Sequence, residues 1–195
     1  MRAGIATLGL TLLLAMGCAT ASHRHDQNYT DTVDACTLIG ASSLQRYVGN
    51  SAPPLSSRPS SARSGDKQSV CDWNSTPTGP SLRLAEVFHA KKNGGNDSAA
   101  RDFKFGRSAC RGVTCRELHG IGNEAFIRGN DLFSPHPSPA NGSIDVYTRD
   151  ENLEFTVSYI PGADRSSPTI GPDVTANATL LAKEVLKNLR KTRQH

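Results

Sequence analysis

Ser143-Ile144-Asp145-Val146-Tyr147-Thr148-Arg149 and Leu153-Glu154-Phe155-Thr156-Val157-Ser158-Tyr159-Ile160, joined by Asp150-Glu151-Asn152, decide the fold of this chain. In the first run Ile144 and Val146 alternate with Asp145 and Tyr147. In the second, Leu153, Phe155, Val157 and Tyr159 alternate with Glu154, Thr156 and Ser158. A period of two places successive side chains on opposite sides of a pleated strand, and the polar triplet between the runs supplies a turn. The expectation is an antiparallel hairpin with one apolar and one wet face.

Working outward, Val70 to Asn74, Leu82 to Ala90 and Glu124 to Arg128 read as further strands. In Leu82 to Ala90, Leu82, Leu84 and Phe88 share a face, with Arg83 and His89 opposite. Glu86 falls on the inner face and interrupts the alternation. Ser42 to Val48 is a short helical pattern stopped by Gly49, and Ser98 to Phe105 another that follows Gly94-Gly95-Asn96-Asp97. The strongest helix is the last, capped by Asp173 or Thr175, with Ala178, Leu181, Ala182, Val185 and Leu189 at i, i+3, i+4 spacing. Asn50 to Gln68, rich in Ser, Pro and Arg, reads as a long loop. The sum is an α+β domain: a meander of about five antiparallel strands, with a short N-terminal helix and a long C-terminal helix packed on one face.

The start of the chain has a different grammar. Arg2 precedes an apolar run, Ile5 to Met16, that ends at Gly17-Cys18. A basic start, an apolar middle shorter than the roughly 20 residues of a spanning helix, and small residues at the cut are the order of a secretory leader, expected over residues 1–17. Ala15-Met16-Gly17-Cys18 resembles a bacterial lipobox, which implies a diacylglyceryl group on Cys18 and attachment to the cell membrane. Cleavage after Ala21 would instead release a soluble, secreted protein. Residues 18–33 read as the lipidated cysteine and a flexible polar tether, in which His23 and His25 are solvated spacers. Residues 34–195 form the single extracytoplasmic domain.

Beyond Cys18 there are four cysteines, Cys36, Cys71, Cys110 and Cys115. An even number in an exported chain suggests two disulfides, and four cysteines allow three pairings. Cys36–Cys71 with Cys110–Cys115 is favoured, because Cys-Arg-Gly-Val-Thr-Cys carries a Gly turn that can fold back on itself. Zinc held by Cys110, Cys115 and His119 is the alternative, and it lacks a fourth ligand.

The formal net charge is +4; losing Arg2 with the leader leaves +3. From Lys183 to His195, five cations stand against Glu184, a local +4, so the rest of the chain is near −1. The basic character belongs to the last helix, where cations complement the helix dipole or meet anionic headgroups. No aromatics interleave with it, which argues against nucleic acid as a partner.

Several landmarks occur in a telling order: Asp34-Ala35-Cys36-Thr37-Leu38-Ile39, then Cys71-Asp72-Trp73, then Gly120-Ile121-Gly122-Asn123-Glu124-Ala125-Phe126, then the Ala-Leu helix. In this order the chain resembles an actinobacterial family of secreted lipoproteins, domain of unknown function 3558, over most of its length beyond the tether. Many members carry Asp-Pro-Cys where this chain has Ala35. The resemblance implies an envelope location and a Cys36–Cys71 disulfide, and it brings no activity or catalytic residue.

Catalytic signatures are thin. Gly120 to Ala125 fits the spacing of a dinucleotide fingerprint, but a strand follows it rather than a helix, so a tight turn is expected. Ser64-Gly65-Asp66-Lys67 fits S-x-x-K without its companion motifs. No G-x-S-x-G, H-E-x-x-H or phosphate loop occurs, and no residue is assigned as catalytic, as a metal ligand or as a cofactor ligand. Trp73 is expected to pack over the disulfide, and Leu132, Phe133 and His136, in the Pro-rich stretch Asp131 to Pro139, form a possible contact surface. The expectation is thus a membrane-anchored, non-enzymatic binding or accessory module of the envelope, meeting a protein or small ligand through the exposed side of its sheet or the Pro-rich loop. The alternatives are a small-molecule or lipid carrier, with a pocket lined by Phe88, Phe126, Phe155 and Tyr159, and a hydrolase of cell-wall or lipid substrates. Oligomeric state is not legible.

Overall fold

The computed structural model describes residues 28–49, 53–59, 63–75, 79–110, 115–129, 143–162 and 172–193. It is an α+β fold on one seven-stranded antiparallel sheet. The strands are β1 (Leu55–Ser57), β2 (Lys67–Asn74), β3 (Ser81–Phe88), β4 (Cys115–Leu118), β5 (Glu124–Gly129), β6 (Ile144–Asp150) and β7 (Leu153–Ile160). Their order across the sheet is β1-β2-β3-β7-β6-β5-β4. It is therefore not one meander. Two runs, β1 to β3 and β4 to β7, meet where β3 pairs with β7, Leu84 opposite Val157. The β6–β7 hairpin is as the alternation requires, and Glu151 takes the left-handed conformation at its turn, φ 57°.

The expected strand count was low by two. β1 lies inside the Ser/Pro-rich stretch and β4 is a four-residue edge strand; neither carries an apolar period long enough to read. Among the described residues three α-helices accompany the sheet: α1 (Ala41–Tyr47), α2 (Gly95–Ser108) and α3 (Pro172–Thr192). Because α3 begins at Pro172, Asp173 and Thr175 lie within its first turn rather than capping it. No helix among the described residues is long and apolar enough to cross a membrane.

Register sorts every strand residue onto one of two faces. Trp73, Leu82 and Tyr159 are successive partners, as are Cys71, Leu84 and Val157, so all six point the same way. On this face α3 buries Ala178, Leu181, Ala182, Val185 and Leu189 in one cluster with Leu82, Leu84, Ile144, Val146, Leu153, Phe155 and Val157. Filling a helix stripe against a sheet in this way removes apolar surface from water at ~25 cal/mol per Å2, the dominant favourable contribution to the fold. Tyr47 and Val48, at the end of α1, join the same cluster, and the Tyr159 hydroxyl donates to the Tyr47 carbonyl at 3.0 Å. The short N-terminal and long C-terminal helices do share a face.

Helix α2 does not. It lies against β6 and β7 from the opposite side, where Phe103 meets Phe126 edge-on at 5.2 Å, and Phe126 stacks on Tyr147 at 4.7 Å. Phe126 is thus buried on the far side from its neighbours Ala125 and Ile127, which belong to the α3 cluster.

Two disulfides hold the fold, Cys36–Cys71 and Cys110–Cys115, the favoured pairing. Cys71 and Trp73 are both buried in the main cluster, with Cys36 packed against it. Since Cys110 and Cys115 are bonded and His119 is exposed, the zinc alternative there is overturned.

Tyr29 and Val33, expected to be spacer, pack with the core. Tyr29 is buried in the main cluster; its backbone NH donates to Asn152 Oδ1 at 2.8 Å and its hydroxyl to Asp150 Oδ2 at 2.7 Å. The core therefore draws on residues before Asp34.

The Gly120 to Ala125 segment is a turn into β5, with φ of 76° at Gly120 and 60° at Gly122. A Cβ at Gly122 would collide with the Arg149 carbonyl, so this glycine serves close approach between turn and hairpin rather than a phosphate.

Candidate functional site

The α2 face carries three cross-strand charge pairs: Asp72 with Arg83 at 3.6 Å and Arg128 with Asp145 at 3.0 Å toward one end of the strands, and Glu124 with Arg149 at 2.8 Å toward the other. At that second end, where β3 runs out, is a buried cluster. His89 follows β3 and is only 2% exposed. Its Nε2 lies 2.7 Å from Glu154 Oε1 on β7. Its Nδ1 faces Asp66 Oδ2 at 3.7 Å and Asp102 Oδ2, on α2, at 4.0 Å. Both separations are too long for a hydrogen bond, and Nδ1 is buried without a partner. A buried ring nitrogen left this way forfeits ~1–3 kcal/mol.

Four segments build the cluster. The β3–β7 register brings Val87 opposite Glu154, which sets that carboxylate beside His89. Asp66 is placed by a turn in which Gly65 takes φ 94°; its Oδ1 accepts from the Ala90 NH and from Asn93 Nδ2, both at 2.8 Å. Asp102 is presented by α2 and gripped from outside by Arg63, whose Nη1 and Nη2 donate at 2.8 and 3.2 Å. The same Nη1 donates to the buried Ser98 hydroxyl at 2.6 Å. Burial pushes the Glu154 carboxyl above its ordinary range, partly opposed by the hydrogen bond from His89.

Beside the cluster, under α2, is a cavity of about 150 Å3. Phe103, Phe126, Tyr147 and Val87 give it apolar walls, and Asp102 and Glu154 give it a polar rim. His89, Asp102 and Glu154 each place one donor atom within 4.8 Å of the others.

A second polar node pins the two ends of the domain together. Asp150, 1% exposed, accepts from Tyr29, from Arg190 at 2.7 Å and from Arg193 at 3.4 Å. The Arg193 guanidinium also lies 3.4 Å from the centre of the Tyr29 ring. Burial alone would raise the Asp150 carboxyl, but hydrogen bonds from Arg190 and Tyr29 outweigh it and hold the group below its usual range. Two cations of the C-terminal run are therefore partners of a buried carboxylate. An open cleft of about 1070 Å3 lies alongside, bounded by residues 28–33, the start of α2 and Arg193.

Of the residues singled out from sequence, Cys36, Cys71, Cys110 and Cys115 are in their disulfides. Cys18, and Leu132, Phe133 and His136 of the Pro-rich segment, lie outside the described residues. Phe88, Phe126, Phe155 and Tyr159 do not line one pocket. Phe126 and Phe155 both border the cavity under α2, whereas Phe88 borders the open cleft and Tyr159 belongs to the α3 cluster. Nor does Ser64-x-x-Lys67 form a site: Lys67 pairs with Asp31, and the Ser64 hydroxyl accepts from Lys92 at 3.4 Å.

In the sequence Asp66 reads only as part of the S-x-x-K spacing, Glu154 and His89 only as outward strand residues, and Asp102 only as part of a short helix. His89 does project to that side, but α2 and the Asp66 turn close over it. No family model, no curated protein and no solved structure matches this chain.

Proposed function

We propose that the chain is a membrane-anchored, extracytoplasmic, non-enzymatic binding module whose ligand enters on the α2 face of the sheet. The observation that carries this reading is the cavity under α2, where aromatic walls end at two carboxylates, Asp102 and Glu154. Concave apolar surface with a few convergent polar groups is the usual make-up of a small-ligand site. At about 150 Å3 it is smaller than the ~300–1,000 Å3 of sites that enclose whole drug-sized molecules, so it takes one end of a ligand. Two disulfides suit an oxidising compartment, and the leader and lipobox-like order ahead of Cys18 supply the address and the anchor.

Gly106 offers a clean test, because it borders the cavity and a Cβ added there meets nothing within 4 Å. Gly106→Leu removes a helix-interior glycine, worth ~1 kcal/mol of helix propensity, while placing bulk at the cavity wall. The expected result is a variant at least as stable as the parent that no longer retains the small ligand seen by native mass spectrometry on protein extracted from its own envelope. A parent protein that carries nothing, or a variant that retains the ligand unchanged, counts against the reading. The anchor is tested separately: labelled fatty acid enters the parent and not Cys18→Ala, which is then found in the medium.

A further inference from the structure

We infer that the His89 cluster is a divalent transition-metal site, with His89 Nδ1, Asp102 and Asp66 as ligands and Glu154 as the group that orients the ring. This rests on the reading of the α2 face as a binding face and names the class of ion taken there.

The orphan nitrogen is the starting point. His89 is 98% removed from solvent, yet its Nδ1 has no hydrogen-bond partner and is directed at two carboxylate oxygens 3.7 and 4.0 Å away. Those gaps are too wide for a shared proton. Two ligands of one tetrahedral ion, each ~2.0–2.1 Å from it, stand ~3.3 Å apart. Metal–ligand geometry at Nδ1 therefore requires the Asp102 and Asp66 carboxylates, which come from separate segments, to close on one another as well as on the ring when an ion binds.

The other side of the ring fits the same assignment. Nε2 and Glu154 Oε1 are 2.7 Å apart, too close to admit an ion and right for an Nε2–H donating to a carboxylate. That bond selects the tautomer with its lone pair on Nδ1. A carboxylate holding the far N–H of a ligating imidazole is the usual outer shell of a histidine metal site.

Charge supports the divalent state. With His89 neutral, Asp66, Asp102, Glu154 and the neighbouring Glu124 carry a formal −4 against Arg63 and Arg149, a net −2 for a doubly charged ion to neutralise. One imidazole with two carboxylates is a borderline donor set, suited to Zn2+ and its neighbours rather than to Ca2+ or Mg2+, which take oxygen alone. Since Asp102 and Glu154 also rim the cavity, a remaining coordination position would open toward the ligand pocket.

The test uses chelator-stripped full chain titrated with Zn2+ by calorimetry and with Co2+ by visible absorption, alongside the nitrogen chemical shifts of the His89 ring. One ion per chain is expected, with the shift of Nδ1 moving on Zn2+ addition and that of Nε2 retaining its protonated value. Asp102→Asn, at a partly exposed position on α2, is expected to keep the fold and to lose affinity at least tenfold. Glu154→Gln is expected to lose roughly 10–100-fold while the altered Co2+ spectrum reports a reoriented ring. Calorimetry without heat of binding and an unmoved His89 signal overturns the inference, as does metal found on Nε2. If Zn2+ fails to bind but Gly106→Leu still expels the organic ligand, the metal assignment alone is lost. If Zn2+ binds and no organic ligand is ever retained, the pocket reading is lost and the metal site stands.

Discussion

The face of the sheet under α3 and the face under α2 come from the same seven strands by the same alternation, but they are finished in opposite ways. Under α3, nearly every strand side chain is apolar and buried, and the helix adds five small or branched residues in register. Under α2, one aromatic contact seals part of the surface and the rest is paired charge. Each face contains a buried ionisable group left short of a partner. On the α3 side it is Glu86, fully buried, with Oε2 accepting from the Val33 NH at 3.3 Å and Oε1 without a partner. On the α2 side it is His89. The difference teaches that one alternation can finish one face as a dry core and the other as a set of charge pairs around a small cavity.

The contrast breaks most visibly if the α3 face tolerates truncation. Trp73→Ala, at a side chain 1% exposed in the main cluster, is expected to cost ~3–5 kcal/mol in urea unfolding. Arg83→Ala, across the sheet on the exposed pair with Asp72, is expected to cost under ~0.5 kcal/mol. Comparable losses would show that the two faces share the stability evenly.

Next in size are the disulfides. Cys36–Cys71 closes a span of 35 residues against the α3 face, and Cys110–Cys115 a span of 5 after α2. Chain entropy predicts ~4 kcal/mol for the first and ~2 for the second. Pairwise Cys→Ser variants, compared by denaturant midpoint, should keep that order.

The discordant carboxylate of the dry face, Glu86, gives a pH dependence. Burial raises its carboxyl from 4.5 to about 8, with the Val33 NH and Arg58 pulling it down and Asp34 pushing it up. Above the unfolded value the unfolded chain ionises while the folded chain keeps its proton. The stability associated with Glu86 is therefore whole below about pH 4.5 and lost progressively up to about 8, amounting to a few kcal/mol on the order of ~1.4 per unit. Glu86→Gln should abolish this slope, leaving the variant the more stable above about pH 8 in unfolding curves. A parent with the same slope as the variant would mean that water reaches Glu86.

Legibility divides along the same line. The five longer strands and the first and last helices are readable because each repeats its apolar residues often enough to define a period. β1 and β4, with three and four residues and mostly exposed, had no period to read. Helix α2 was recognised as a helix but not for its side: its buried contact rests on Ala99 and Phe103, too few residues to declare which face they seek. Tyr29 looked like spacer because its neighbours are polar, and its partners, Asp150 and Asn152, lie more than 120 positions away.

The alternating runs, the helix stripe and the cysteine count by themselves determined an α+β antiparallel domain with two bridges, because period and parity are local properties of a chain. Tertiary structure alone decided that β3 would lie against β7 and that α2 would fold over their far side. That put His89 against Glu154, 65 positions away, and in front of Asp66 and Asp102. Alternation dictates the side to which a residue points; only the packing of distant segments dictates what it meets there.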